Sequence, residues 1–204
     1  MIRTTNRTRR STRTTTRRAL LAATGAATAT ALAGCLGGDS GGDTDDEPPA
    51  PIALSGGKSD DFGGMVIGEH FGPNGQIFYA NNSPDGHDNP AWFHTLAATL
   101  FPYYFEHKRQ DWTAEAVYVT DYSAVDYELT TQGDKTYIST HTAADTFGDA
   151  EAMTYVASSR VMGGMGADLI PFGDDADASA FVSEHGGRTI EFGDINREFV
   201  QSYR

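Results

Sequence analysis

The chain has 204 residues with 28 acidic against 15 basic side chains, a net charge of −13. That figure averages two unlike pieces: residues 1–34 carry seven arginines and no acid, so from Cys35 onward eight bases face 28 acids, a net of −20. So acidic a body repels phosphate, which argues against a nucleic-acid partner, and with three lysines in all it suits a protein kept soluble in high salt.

Residues 1–34 read as an export address. Thr16-Arg17-Arg18-Ala19-Leu20-Leu21 sets paired arginines ahead of Ala19 to Gly34, a stretch of Ala, Thr, Leu and Gly that resembles a twin-arginine signal. Its 16 residues fall short of the roughly 20 strongly apolar ones a spanning helix needs. Leu32-Ala33-Gly34-Cys35 resembles a lipobox, so Cys35 is the expected lipidation site and first residue of the mature chain. Because Cys35 is the sole cysteine, no disulfide can form and core packing alone must hold the fold. Residues 35–57, rich in Gly, Asp and Pro, are expected to be a disordered tether. The expected location is the outer face of the cytoplasmic membrane, lipid-anchored.

Apolar residues then return in short runs bounded by Gly, Pro, Asn and Asp. Met65-Val66-Ile67 and Gln76 to Ala80 read as strands of a hairpin joined by the turn-rich His70–Gly75. Pro90 opens a helix over Ala91–Phe101 that Pro102 ends or kinks, and Glu115–Asp121 is a β-branched strand. Residues 126–148 form a connecting hairpin, pairing Tyr127-Glu128-Leu129 with Thr136-Tyr137-Ile138. The order then repeats: strands Ala152–Ala157 and Leu169–Phe172, a helix Ala176–His185 capped by Asp174 or Asp175 and closed by Gly186-Gly187, and a strand Arg188–Phe192. The fold class is therefore α+β, two related β-β-α-β halves (58–125 and 149–204) packed on each other, since neither buries enough surface by itself.

Candidate ligands come from the methionines. Met65, Met162 and Met165 each touch glycine in sequence, whereas Met153 sits inside an apolar run as core filler does. A thioether is soft and needs no deprotonation, which suits Cu(I); the competing reading is that these methionines cover a hydrophobic patch or line a protein-binding surface. His70 follows Met65 closely enough to join such a site. His94 and His185 fall on predicted helices, where packed or surface roles are commoner. No zinc spacing, nucleophile elbow, P-loop or Rossmann fingerprint occurs, and Asp60-Asp61 and Asp174-Asp175 read as solvated surface, the second pair capping a helix. An enzyme is not expected.

Gly64-Met65-Val66-Ile67, Glu69-His70, Gly75-Gln76-Ile77-Phe78, Trp92-Phe93, Val117 to Asp121, Ser158-Ser159-Arg160, Gly163 to Ala167, Pro171-Phe172, Ala180-Phe181 and Glu184 to Arg188 occur in an order that resembles the NosL family, lipoproteins associated with nitrous oxide reductase. The resemblance runs from about residue 60 to residue 200. It implies a copper chaperone that holds Cu(I) outside the membrane for the reductase's copper centres, with that reductase and its maturation transporter as partners. From the matching motifs Met65 and Met165 carry over as metal ligands; Met162 and His70 are added as replacements. The family pattern C-x-x-C-G-M stands here as Asp60-Asp61-Phe62-Gly63-Gly64-Met65, so both thiols are gone. That loss supports an alternative, a metal-free interaction partner of the copper-centre assembly machinery. Scattered carboxylates and histidines are all that speak for a third, an extracytoplasmic hydrolase or small-ligand binder.

Overall fold

The structure, a computed structural model, describes residues 47–203. The expected signal peptide, Cys35 and the first part of the expected tether lie outside the described residues. Within that tether, residues 49–54 are instead packed. Tyr118 donates to the Pro49 carbonyl at 2.9 Å, the Gln76 amide pairs with the Ile52 main chain in both directions at 3.0 Å, and Leu54 is wholly buried.

β1 (Gly75–Tyr79) is buried along its whole length and lies between β2 (Ala91–Phe93) and β3 (Ala114–Thr120), antiparallel to both. With both edges of β1 taken, no place is left for the expected strand at Met65-Val66-Ile67. Val66 makes only an isolated bridge to Ser59, and Asp60 and Ile67 donate to Met65 and Lys58 carbonyls, so residues 58–67 form a tight loop. The helix expected from Ala91 loses its first residues to β2 and starts at Leu96. A π-helical turn, Leu96–Leu100, runs into α1 (Phe101–Lys108), and Leu100 N–H bonds back to Thr95 O at 3.1 Å. Pro102 neither ends nor breaks it. Proline sits in the first turn of α1, after a widened turn that moves the usual carbonyl partners out of its way.

Between the halves β4 (Leu129–Gln132) and β5 (Lys135–Ile138) form a hairpin about Gly133 at φ 64°, its first strand beginning at Leu129, so that Tyr127 and Glu128 of the expected strand lie ahead of it. β6 (Phe147–Asp149) then adds to the free edge of β3. β7 (Thr154–Ala157) follows, and β8 (Val161–Met162) pairs in parallel with β5. β9 (Ile170–Phe172), α2 (Asp175–His185) and β10 (Arg188–Glu191) complete the second half, and a final helix α3 (Arg197–Ser202), capped by Asn196, follows beyond the expected elements. Asp174 accepts from Ala176 N–H and Gly186 closes α2 at φ 74°. Strand order β9-β7-β10 matches β2-β1-β3: in both, the first strand lies between the second and the strand after the helix.

Alternation along β7 shows how the halves meet. Tyr155 and Ala157 join a core with Ile77, Phe93, Leu96, Phe101 and Val119 of the first half, while Val156 faces Ile170, Phe172 and Phe181 on the other side. One hydrophobic core thus belongs to both halves. Among the described residues no helix is long and apolar enough to cross a membrane.

Candidate metal centre

The loop over residues 58–67 is organised by Asp60, which is buried rather than solvated. One carboxylate oxygen accepts from Phe62 and Gly63 N–H at 2.8 and 2.6 Å, the other from His94 N–H at 2.8 Å and the His94 Nδ1 at 2.6 Å. Burial pushes the Asp60 carboxyl up, but the bonds from His94, Gly63 and Thr99 outweigh it and hold it below the ordinary value. Asp60 is therefore ionised at neutral pH and can only accept, so Nδ1 of His94 must carry the proton. Asp61 is also engaged, accepting from Trp92 N–H at 2.6 Å and bonding His87 at 2.9 Å. Together the two aspartates fasten the loop to β2.

His94 directly follows β2 and precedes the helix instead of lying on it. The side chain is 1% exposed, and its Nε2 is buried with no hydrogen-bond partner. The His70 ring stands 5.9 Å away, centroid to centroid, at 62°. On another side is Gly63: a Cβ there would meet His94 Cε1 at 3.4 Å and Thr99 Cγ2 at 3.3 Å.

The second loop arrives from β8. Gly163 and Gly166 bond to each other's carbonyls, turning the chain tightly. The glycines matter chiefly for close approach: a Cβ on Gly164 would fall 2.8 Å from Phe71 O and 3.0 Å from His70 Cβ, and one on Gly72 2.6 Å from Gly163 Cα. Met165 is thus held beside the His70 loop, and it is 58% exposed. With Phe62, Gly63, Ala97, Thr99 and Tyr203 it lines an open cleft of about 540 Å³. Asp168 locks this arrangement. Its carboxylate accepts from Ala97 and Leu96 N–H, at 2.8 and 3.2 Å, at the start of the helix two residues after His94. Complete burial pushes the Asp168 carboxyl up to about 6 despite those bonds and the one from Leu169.

Of the predicted site residues, Met165 and His70 lie on the two loops that meet, and Met65 is half-buried in the Asp60 loop, its carbonyl bonded to Asp60 N–H. Met162 is a half-buried strand residue paired with Tyr137, not a loop residue. Sequence reasoning missed His94 and Asp60. No spacing rule links residues 34 positions apart; the only signal is an acid pair ahead of Met65. Among the described residues no group of three or more His, Cys, Asp and Glu side chains forms a metal cage. A soft ion would therefore have to draw on thioether sulfur and imidazole nitrogen, and the unpartnered Nε2 of His94 fits that donor set.

The NosL family profile matches residues 51–200 of the chain. The copper-binding lipoprotein NosL of Stutzerimonas stutzeri is 38% identical over 53 residues, 26% of this chain and 28% of that protein's length. The crystal structure of the copper chaperone NosL from Shewanella denitrificans has the same fold: TM-score 0.59 at 22% identity, covering 74% of this chain and 99% of that one. With a mixed α+β fold on which the family profile spans most of the sequence, the chain belongs to the NosL family.

Proposed function

We propose that the chain is an extracytoplasmic, lipid-anchored chaperone of NosL type, not an enzyme, that binds Cu(I) as cargo and delivers it for maturation of nitrous oxide reductase. The observation that carries this reading is Met165, a large apolar side chain 58% exposed on an open cleft that Phe62 and Gly63 of the Asp60 loop also line. Burying that side chain would be worth about 2 kcal/mol, so its exposure asks for a role outside the core. A thioether on a rim can take a soft monovalent ion and give it up again, which is what a carrier needs. Met65 enters as the second sulfur, with Met162 or His70 completing the set. Cys35 anchors the chain, and the reductase and its maturation transporter are the proposed partners.

Anaerobic Cu(I) titration of the chain carrying Cys35→Ser, which removes the only thiol, tests this. One equivalent should bind, and replacing Met65 and Met165 together by Leu should abolish uptake while shifting the melting curve little, because volume and apolarity are conserved. Equal uptake by the double variant would overturn the thioether reading. Absence of uptake by the parent would favour the alternative, for which Asp60 and Gly63 at the cysteine positions speak: a metal-free interaction partner of the assembly machinery.

A further inference from the structure

We propose that the face centred on Phe62 docks a protein segment in which an arginine stands two residues from a large aliphatic side chain. The aliphatic group enters the cleft beside Met165, and the guanidinium enters a carboxylate-lined pocket on the other side of Phe62; neither step depends on a bound metal. Among the described residues Phe62 and Met165 are the only large hydrophobic side chains left exposed, at 45% and 58%, and both line the one cleft of about 540 Å³. A single exposed apolar group is ordinary, whereas two gathered in one cleft mark a surface made for another molecule.

Phe62 is held ready for that contact. Its main-chain N–H donates to Asp60 at 2.8 Å, and its ring meets Tyr103 edge-on, centroids 6.5 Å apart at 88°. A side chain already fixed where it binds loses little freedom on docking. Beyond the ring lies a second open pocket of about 460 Å³, lined by Asp61, Asp85 and Glu106 together with Tyr103, His107 and Trp112, and by no lysine or arginine. Asp61 is already tied to Trp92 and His87. Asp85 and Glu106 are exposed, and their side chains make no hydrogen bond or ion pair among the described residues. Tyr103 is only 7% exposed, yet its hydroxyl also has no hydrogen-bond partner among them. Burial pushes that hydroxyl up to about 12, and Asp61, Asp85 and Glu106 push the same way, so it points among the carboxylates of the pocket. A guanidinium answers all of these groups at once: its N–H fork donates to carboxylates and to the Tyr103 oxygen, and its plane stacks on aromatic rings such as Trp112.

Charge decides the occupant. A two-fold pairing of this face with a second copy would set Asp85 and Glu106 against their like, on a body whose net charge from Cys35 onward is −20. A basic partner meets no such repulsion. Spacing sets the motif: alternate side chains of an extended segment stand on one side about 7 Å apart, far enough to straddle one phenyl ring. The segment is therefore aliphatic, any residue, arginine.

The probe is the capped peptide Gly-Leu-Ser-Arg-Gly, with a twin in which citrulline, of the same shape but uncharged, replaces arginine. Titrated into the Cys35→Ser chain and followed by nitrogen-15 spectra, the arginine peptide should shift the Phe62, Tyr103 and Glu106 amides and the Trp112 indole N–H. It should bind about tenfold more tightly than its twin. Asp85→Asn combined with Glu106→Gln should keep the parental melting curve and erase that preference, and Phe62→Ala should weaken both peptides. Equal affinity for the two peptides, or no shift at these residues, would overturn the proposal. So would displacement of the arginine peptide by an equal concentration of choline, which would make the pocket a site for small cations. A parent dimer in sedimentation that Phe62→Ala dissolves would give the face to a second copy instead. If Phe62→Ala fails to fold, the citrulline comparison and the acid-to-amide variant decide.

Discussion

Asp60 and Asp168 are both carboxylates buried against main-chain N–H groups, and they titrate in opposite directions. Asp60 is held below its ordinary value, so it contributes stability above a pH of about 3.8 that is lost as pH falls. Asp168, raised from 3.8 to about 6, favours the protonated native state. Between those values the folded chain holds more protons than the unfolded one, so the Asp168 contribution, full below pH 3.8, is lost as pH rises through 6. The amount is about 3 kcal/mol. Asp168→Asn keeps one oxygen for the Ala97, Leu96 and Leu169 N–H groups and cannot ionise. Urea melts at pH 4, 5, 6 and 7 should show stability falling over this window in the parent and a flatter course in the variant; identical slopes would mean that Asp168 stays ionised throughout. Neither role was legible beforehand. An aspartate in so acidic a chain looks solvated until the fold shows which amides surround it.

Loops decide the site at the scale of elements. The His70–Gly72 and Gly163–Gly164 segments touch backbone to backbone, and nothing larger than hydrogen fits between them. Gly164→Ala should therefore cost about 1–3 kcal/mol, and Gly193→Ala, where an added Cβ meets nothing within 4 Å, should be close to neutral by the same melting assay. Equal effects would show that the loops can separate without penalty. Elements set by local chemistry were readable: the β4–β5 hairpin about Gly133, and α2 between its Asp174 cap and Gly186. Misreadings arose where a neighbour outvoted local pattern. Ala91-Trp92-Phe93 has helical spacing, yet β1 offers it a free edge, and Met65-Val66-Ile67 is strand-like but finds both edges of β1 occupied.

Across the whole molecule the two halves share a core, so neither should melt by itself. Leu169, fully buried in the cluster that joins both halves, lies beside Asp168 at the junction. Leu169→Ala should remove about 2–5 kcal/mol, and near- and far-ultraviolet dichroism should report one coincident unfolding transition in both parent and variant. Separate transitions would mean two independent cores.

What the sequence determined by itself is what short-range chemistry encodes: the acidic body, the mixed α+β class, the cap and turn that bound α2, and methionines set among glycines. Only the tertiary structure decided that Asp60 meets His94 across 34 residues and Asp168 meets Ala97 across 71. Periodicity and turn propensity act over a few residues, whereas burial, the occupancy of a strand's two edges and the desolvation of a charge depend on whichever distant segment packs there.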